Sequence, residues 1–206
     1  AHTRINSDSG TLTLNVASGA AITGTFNLTF GGAGNITVSD AITTGTGTLT
    51  KDGTGTLTLA GNNTYTGTTS ITNGIVAITH ANALGKNVDT LSTTAVSSGA
   101  TLSISNGIDV PEPITISGTG YSTVGAIRFT GGDNTYSGAI ILGANATISS
   151  IGSGGTTFGG TINASSSGAQ SLTISTTTDN FTIAGAIGGT TRPSTVDISA
   201  IGTGRT

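Results

Sequence analysis

The fold is decided by the stretch from Gly45 to Gly85, which reads GTGTLTKDGTGTLTLAGNNTYTGTTSITNGIVAITHANALG. Apolar residues alternate with small polar ones in this stretch, as in segments 55–59 (GTLTL) and 74–78 (GIVAI). Successive side chains of a β-strand point to opposite faces, so Leu57 and Leu59 share one face and the threonines beside them share the other. The Gly, Asn and Asp residues between these segments are typical of tight turns. The stretch therefore predicts short strands that each bury one face.

The same pattern, a glycine followed by apolar residues at alternate positions, recurs along the whole chain. It begins at residues 10, 24, 34, 55, 74 and 125. A longer unit also repeats, because residues 61–67 (GNNTYTG) are echoed by residues 132–138 (GDNTYSG). Distant copies of one local unit are typical of a solenoid, in which each turn packs only on its neighbours. A sandwich has no comparable reason to repeat an Asn-Thr-Tyr corner, so we favour an all-β solenoid.

We expect one continuous β-solenoid over residues 1–206, with its best repeat units at 45–85 and about 116–150. At roughly 20 residues per turn, the chain would form about ten turns. Such a rod would be about 50 Å long. Inward positions would form ladders of Leu, Ile, Val and Phe along the axis, and outward Thr and Ser would face water.

The corners between strands are predicted from asparagine and proline. Asn62, Asn63 and Asn134 are expected at corners, where like amides on adjacent turns can hydrogen-bond in a ladder. Proline cannot donate a ladder hydrogen bond, so the segment Pro111-Glu112-Pro113 is expected to form a corner or an outward loop.

Composition excludes several classes of function. The chain has 34 glycines among 206 residues, a formal charge of −3, no cysteine and only six basic residues. Without cysteine, disulfides and thiolate metal sites are excluded. Without a basic cluster, nucleic-acid binding is not expected. No apolar run is long enough for a transmembrane helix, so we expect no membrane insertion by this segment. Disorder is also disfavoured, because the charge is low and the mean hydropathy is +0.19.

Candidate catalytic and metal-binding residues are few, and we assign none of them. The two histidines are His2, near the start of the chain, and His80, expected in a turn after a strand. No Gly-x-Ser-x-Gly segment is present to position a nucleophilic serine beside them. Paired carboxylates could cleave glycans, but the nine acids are scattered singly: Asp8, Asp40, Asp52, Asp89, Asp109, Glu112, Asp133, Asp179 and Asp197.

The sequence pattern argues against two further kinds of ligand site. Calcium-binding β-rolls require an Asp ligand after their glycines, and Ile36 stands where segment 31–36 would need it. No phosphate-cradling glycine loop is present. We therefore expect no catalytic residue, no cofactor and no metal.

The central stretch resembles the passenger-associated repeat of bacterial autotransporters. The resemblance is carried by Leu49-Thr-Lys-Asp-Gly-Thr-Gly-Thr-Leu57-Thr-Leu59, then residues 61–67, then Asn73-Gly74-Ile75-Val76, then Ala83-Leu84-Gly85. It is closest over residues 45–85 and weaker over about 98–150. It implies a right-handed parallel β-helix and secretion to the bacterial cell surface. It implies no particular activity, since passengers of many functions share this scaffold.

Two functions follow as hypotheses. The first is a non-enzymatic extracellular scaffold, a fibre or adhesive stalk. Strand patterns lie close to both termini and no helical cap is visible, so we expect head-to-tail self-association into filaments or packing against neighbouring coils of a longer chain. The second is a passenger module that binds or cleaves glycans of a host or biofilm surface on one face of the rod.

Overall fold

The chain forms a parallel β-solenoid, as its alternating pattern predicts. A computed structural model describes residues 1–86, 93–177 and 180–200. The strands of these segments are β1 (His2–Asn6), β2 (Thr11–Leu14), β3 (Ile22–Thr23), β4 (Asn27–Gly31), β5 (Asn35–Val38), β6 (Ile42–Thr43), β7 (Leu49–Lys51), β8 (Thr56–Leu59), β9 (Thr69–Ile71), β10 (Gly74–Ile78), β11 (Thr94–Val96), β12 (Ala100–Ser105), β13 (Asp109–Val110), β14 (Ile114–Gly118), β15 (Ile127–Gly131), β16 (Asn134–Tyr136), β17 (Ile140–Ser150), β18 (Thr156–Phe158), β19 (Ile162–Ala164), β20 (Ser171–Thr176), β21 (Phe181–Ile183) and β22 (Thr195–Ala200). One short 3₁₀ helix spans Tyr121–Thr123.

Each turn places its strands in up to three columns, and every strand pairing is parallel. The first column runs β1-β4-β7-β9-β11-β14-β17-β19, and the second runs β2-β5-β8-β10-β12-β15-β17-β20-β22. The third consists of the pair β3-β6 and the ladder β13-β16-β18-β21. The long strand β17 belongs to both of the first two columns, because Ile140–Leu142 pair with β14 and residues 148–150 pair with β15.

The solenoid has about eight turns, fewer than the ten expected. The interval between paired residues is 20 from Leu49 to Thr69 and 26 from Ile114 to Ile140. The corner loops between columns vary in length, so most turns exceed 20 residues. At about 4.8 Å per layer, eight turns give a rod about 38 Å long.

The core is a stack of inward ladders, and the predicted inward positions are confirmed. Leu57 and Leu59 are fully buried, whereas the threonines beside them are partly exposed. One ladder in the second column comprises six residues in register on successive turns, each at most 1% exposed: Ile36, Leu57, Val76, Leu102, Ile127 and Ile148. Aromatic rings continue the core on later turns, where Phe129 and Phe158 meet edge to face at 5.4 Å.

Glycine is abundant because the corners of successive turns touch backbone to backbone. A Cβ added to Gly138 would lie 2.2 Å from the carbonyl oxygen of Glu112. One turn further, a Cβ on Gly160 would lie 2.0 Å from the oxygen of Gly138, and one on Gly185 would lie 1.9 Å from the oxygen of Gly160. No real Cβ fits at such distances, so this corner requires glycine on three successive turns, at Gly138, Gly160 and Gly185.

Candidate functional site

The acids singled out in the sequence do not form a site in the described residues. Three of them instead accept hydrogen bonds from the backbone of an adjacent turn. Asp40 accepts from Val16 N at 2.8 Å, and Asp133 accepts from Gly155 N at 2.6 Å. Asp109 accepts from Ser137 N at 3.2 Å. These carboxylates satisfy backbone donors at corners and are structural. Asp89 and Asp179 lie outside the described residues.

The histidines are also isolated from any catalytic partner among the described residues. His80 lies in the turn directly after β10, as predicted, and its Nδ1 accepts a hydrogen bond from Asn82 N at 3.1 Å. The ring of His2 lies on the first turn, with Nε2 3.2 Å from the Thr29 hydroxyl.

The corner asparagines bind neighbouring backbone more often than they bind each other. Asn63 is buried, accepts from Ile42 N at 2.8 Å and donates to Ala83 O at 2.5 Å. It therefore joins the turns before and after its own. Asn134 likewise accepts from Ile108 N at 3.1 Å. A contact between amides, as predicted, is formed by Asn62, whose Oδ1 accepts from Asn82 Nδ2 at 3.0 Å.

An ion pair on the surface spans two turns. The guanidinium of Arg4, on the first turn, donates to both carboxylate oxygens of Asp52, on the third turn, at 2.7 and 3.0 Å. The side chain crosses over Gly31, where an added Cβ would lie 2.0 Å from Arg4 Nη2. The hydrogen bond and charge of Arg4 lower the pKa of Asp52, and those of Asp52 raise the pKa of Arg4. Both side chains are exposed, so the pair contributes little to stability.

Lys51 occupies an inward position of the core, which the sequence analysis did not anticipate. It pairs with Phe30 on the previous turn and with Ile71 on the next, and it is 2% exposed. Its Nζ donates to the backbone oxygens of Gly53 and, at 3.4 Å, of Asn73. Burial lowers the pKa of Lys51 to about 8, against a smaller opposing effect of the Asp52 charge.

A second group of buried polar side chains, here called the interior polar layer, consists of Tyr65, Thr69, Thr94, Glu112 and Tyr136. Each of the five is at most 4% exposed. Tyr65 and Thr69 share a hydrogen bond of 2.7 Å between their hydroxyls. The hydroxyl of Tyr136 donates to the backbone oxygen of Glu112 at 2.8 Å. The layer lies inside the rod, so a substrate in solution does not reach it.

The carboxyl group of Glu112 dominates the electrostatics of this layer. Burial raises the pKa of Glu112 to about 8, and the nearby Thr94 hydroxyl lowers it by a smaller amount. The Thr94 hydroxyl forms no hydrogen bond of ordinary geometry with any described residue. Burial also raises the pKa of Tyr65 and of Tyr136, and the charge of Glu112 adds to both effects. The layer can therefore take up or release a proton within the core.

The expectation of a corner or an outward loop at Pro111-Glu112-Pro113 did not specify the direction of the Glu112 side chain, which lies inward. Segment 111–113 does lie in a loop, between β13 and β14. However, Val110, Glu112, Ile114 and Ile116 are all buried, so the period of two continues through the prolines. The same period places Lys51 on the face of Leu49. Both buried ionisable groups could have been found by extending the alternation across polar residues.

The surface carries shallow depressions lined by glycine backbone and short polar side chains. One of them, here called the Asn106 groove, lies where successive turns pass from the second column to the third. It is lined by Thr79, Ser105, Asn106, Gly107, Gly131 and Gly132. It contains no aromatic, acidic or basic side chain, and therefore no group suited to acid-base catalysis.

In residues 1–86, 93–177 and 180–200, no three His, Cys, Asp or Glu side chains gather where they could hold a metal ion. Those residues also include no helix with the length and apolar character needed to cross a bilayer.

The fold defines the protein as a parallel β-solenoid, and comparison with known families places a repeat within it. The family model described as passenger-associated-transport-repeat matches residues 49–78. The matched segment runs from the first residue of β7 to the last residue of β10, so it covers the strands of two successive turns. This match confirms the resemblance to the repeat of autotransporter passengers at the centre of the chain. Neither the curated proteins nor the solved structures yielded a match.

Proposed function

We propose that the chain is a non-enzymatic extracellular scaffold, a β-solenoid fibre or adhesin stalk at a bacterial surface. The proposal rests mainly on where the polar chemistry lies. Lys51 and Glu112, the buried groups with strongly shifted pKa values, are enclosed in the rod. The described surface consists mainly of hydroxyl and amide side chains with dispersed charges, and few large apolar side chains, such as Ile141 and Ile198, are exposed on it. Perturbed ionisable groups in an accessible cleft would favour an enzyme, and these groups are not accessible.

The passenger repeat supports the proposed location. The matched repeat is one carried by passenger domains, which are exported to the outside of the bacterial cell, and its two turns form part of a continuous solenoid here. A protein of this class needs length, regularity and resistance to unfolding. Inward ladders and backbone hydrogen bonds between turns supply these properties.

Self-association, head to tail or with neighbouring coils of a longer chain, is part of the proposal. Among the described strands, β22 pairs only with β20, which leaves its other edge free for a further strand. Ile198 is in register with the inward residue Ile174 but is 49% exposed, because no turn within the described residues lies over it. Another turn, from the same or another chain, would bury that side chain.

Light scattering coupled to size-exclusion chromatography tests head-to-tail stacking directly. The chain should form species whose mass grows with concentration, and electron micrographs should show fibres one solenoid wide. Ile198→Lys should abolish growth by placing a charge in the stacking surface. The matched control Ser199→Lys changes the next, outward residue and should leave growth intact. A monomer at all concentrations would refute stacking between separate chains.

A glycan array and a panel of glycoside substrates test the alternative of a glycan-binding or glycan-cleaving module. The scaffold proposal expects no binding and no hydrolysis by the purified chain. Reproducible binding to one glycan class, weakened by Asn106→Ala in the Asn106 groove, would favour the alternative. Host or biofilm glycans would then be partners of the rod surface.

A further inference from the structure

Two Asn-Gly dipeptides occur in the chain, at 73–74 and 106–107, and the fold places them in opposite environments. In this dipeptide the backbone nitrogen of glycine can attack the side-chain carboxamide of the preceding asparagine. Glycine permits the reaction best, because it has no side chain to hinder the approach and its backbone rotates most freely. Whether the attack occurs in a folded protein depends on room, water and backbone freedom.

Asn106 and Gly107 lie in the open corner between β12 and β13. Both residues are exposed, with φ angles of 81° and 65°. The Gly107 N–H forms no hydrogen bond to any described residue. An added Cβ on Gly107 would approach nothing closer than Asp133 O, at 3.7 Å. The Asn106 groove gives water access to the carboxamide, which is restrained by a donation from Nδ2 to Thr79 O at 3.1 Å.

Asn73 and Gly74 lie in a packed corner between β9 and β10, where Asn73 is half-buried and Gly74 is buried. Gly74 is buried and is the first residue of β10, in register with Ala100 on the next turn. An added Cβ on Gly74 would lie 2.4 Å from Gly53 O, so neighbouring backbone blocks rotation of this residue. The Gly74 N–H donates to Asn73 Oδ1 at 2.8 Å, and Asn73 O accepts from Lys51 Nζ. The Gly74 nitrogen is therefore close to the Asn73 carboxamide, but the reaction also requires the backbone to rotate. The packed corner would have to open before the nitrogen could bond to the carboxamide carbon.

We propose that Asn106 is a site of spontaneous deamidation in the folded protein, and that the fold protects Asn73. The Gly107 amide loses its proton to a base in solution, and its nitrogen forms a bond to Asn106 Cγ. The bond from Cγ to Nδ2 breaks, and that nitrogen takes up one proton from the solvent and leaves as ammonia. Water then opens the five-membered succinimide at either carbonyl, which gives aspartate or isoaspartate. No oxidation or reduction occurs, and water is the only co-reactant.

The modification changes the corner in a defined way. The product carboxylate lacks the N–H groups that donate to Thr79 O, so a contact between two successive turns is lost. It also adds a negative charge to a corner that already carries Asp109 and Asp133. The isoaspartate product inserts an extra methylene into the backbone between β12 and β13, which alters the path of the chain into the third column.

Peptide mass spectrometry of the intact chain, kept folded in mildly alkaline buffer, tests this proposal. Deamidation should be at least about tenfold faster at Asn106 than at Asn73, a barrier difference of about 1.4 kcal/mol. In urea the two sites should react at similar rates. Asn106→Gln, at an exposed position, should remove the modification there while the circular dichroism spectrum of the solenoid is retained.

Three results would overturn the proposal. Equal rates at the two sites in the folded chain would show that the packing of Gly74 gives no protection. Faster reaction at Asn73 would show that the contact between the Gly74 nitrogen and the Asn73 carboxamide matters more than the freedom of the Gly107 backbone. Absence of reaction at Asn106 in the folded chain, with reaction in urea, would show that the bond to Thr79 O is sufficient to protect it.

Discussion

Replacing Glu112 with glutamine should make the solenoid more stable at alkaline pH and change little in acid. The pKa of Glu112 rises from an ordinary value of 4.5 to about 8 in the folded chain. Between these values the unfolded chain releases the proton while the folded chain retains it, so the free energy of unfolding falls as pH rises. Each pKa unit corresponds to about 1.36 kcal/mol. The full loss is therefore at most roughly 5 kcal/mol, reached above pH 8.

Urea unfolding followed by far-UV circular dichroism measures this effect. With a slope of about 2 kcal/mol per molar urea, Glu112→Gln should raise the midpoint above pH 8 by up to about 2.5 M relative to the parent chain. Near pH 4.5 and below, the two midpoints should approach each other. Asp109→Asn, at an exposed position three residues away, is the control; it keeps Glu112, so its urea midpoint should fall with pH as that of the parent chain does. An equal midpoint difference at acid and alkaline pH would refute a buried carboxyl group at this position.

Other substitutions test the core, the corners and the buried lysine. Leu57→Asp places a charge in the inward ladder and should lower the free energy of unfolding by more than about 4 kcal/mol. Thr56→Asp, on the partly exposed face, should change it by about 0.5 kcal/mol or less. Urea midpoints compare the two variants. Gly160→Ala brings a Cβ to 2.0 Å from a backbone oxygen and should destabilise the folded chain by about 1–3 kcal/mol. Gly159→Ala, whose added Cβ would lie 3.7 Å from its nearest neighbour, should be tolerated. Thermal melts compare the two variants. The pKa of Lys51 falls from 10.5 to about 8 in the folded chain. Between these values the unfolded chain holds the proton that the folded chain has released, so the free energy of unfolding of the parent chain should rise by up to about 3 kcal/mol from pH 8 to pH 10.5. Urea titrations of Lys51→Met should lack that rise.

Each of these comparisons has an outcome that contradicts its reasoning. Equal damage from the two aspartate substitutions would mean that the faces of β8 are misassigned. Equal melting temperatures for the two alanine variants would mean that the corner can widen without loss of pairing. A pH profile for Lys51→Met parallel to that of the parent would place the lysine ammonium in water.

Much of the fold could be predicted from the residues alone, but the buried polar groups could be predicted less well. Alternation in segments such as 55–59 fixes which side chains turn inward, whatever the loops between the segments do. The number of turns could not be fixed in this way, because pairing intervals depend on corner loops that carry no periodic signal. The burial of Glu112 was not predicted, because the prolines on both sides indicated a corner or an outward loop and gave no information on which way its side chain points.

The sequence by itself determined that this chain is a solenoid of short strands, because a period of two buries one face of each strand and the distant copies of one local unit indicate turns that pack only on their neighbours. Only the tertiary structure decided what that burial encloses. Lys51 in β7 and Glu112 in the loop before β14 both lie on the inward phase of the alternation, and the turns above and below them exclude water. Burial is the main cause of both altered pKa values. It is produced by other turns, such as those that carry Phe30 and Ile71 beside Lys51, so no local segment of sequence contains that cause.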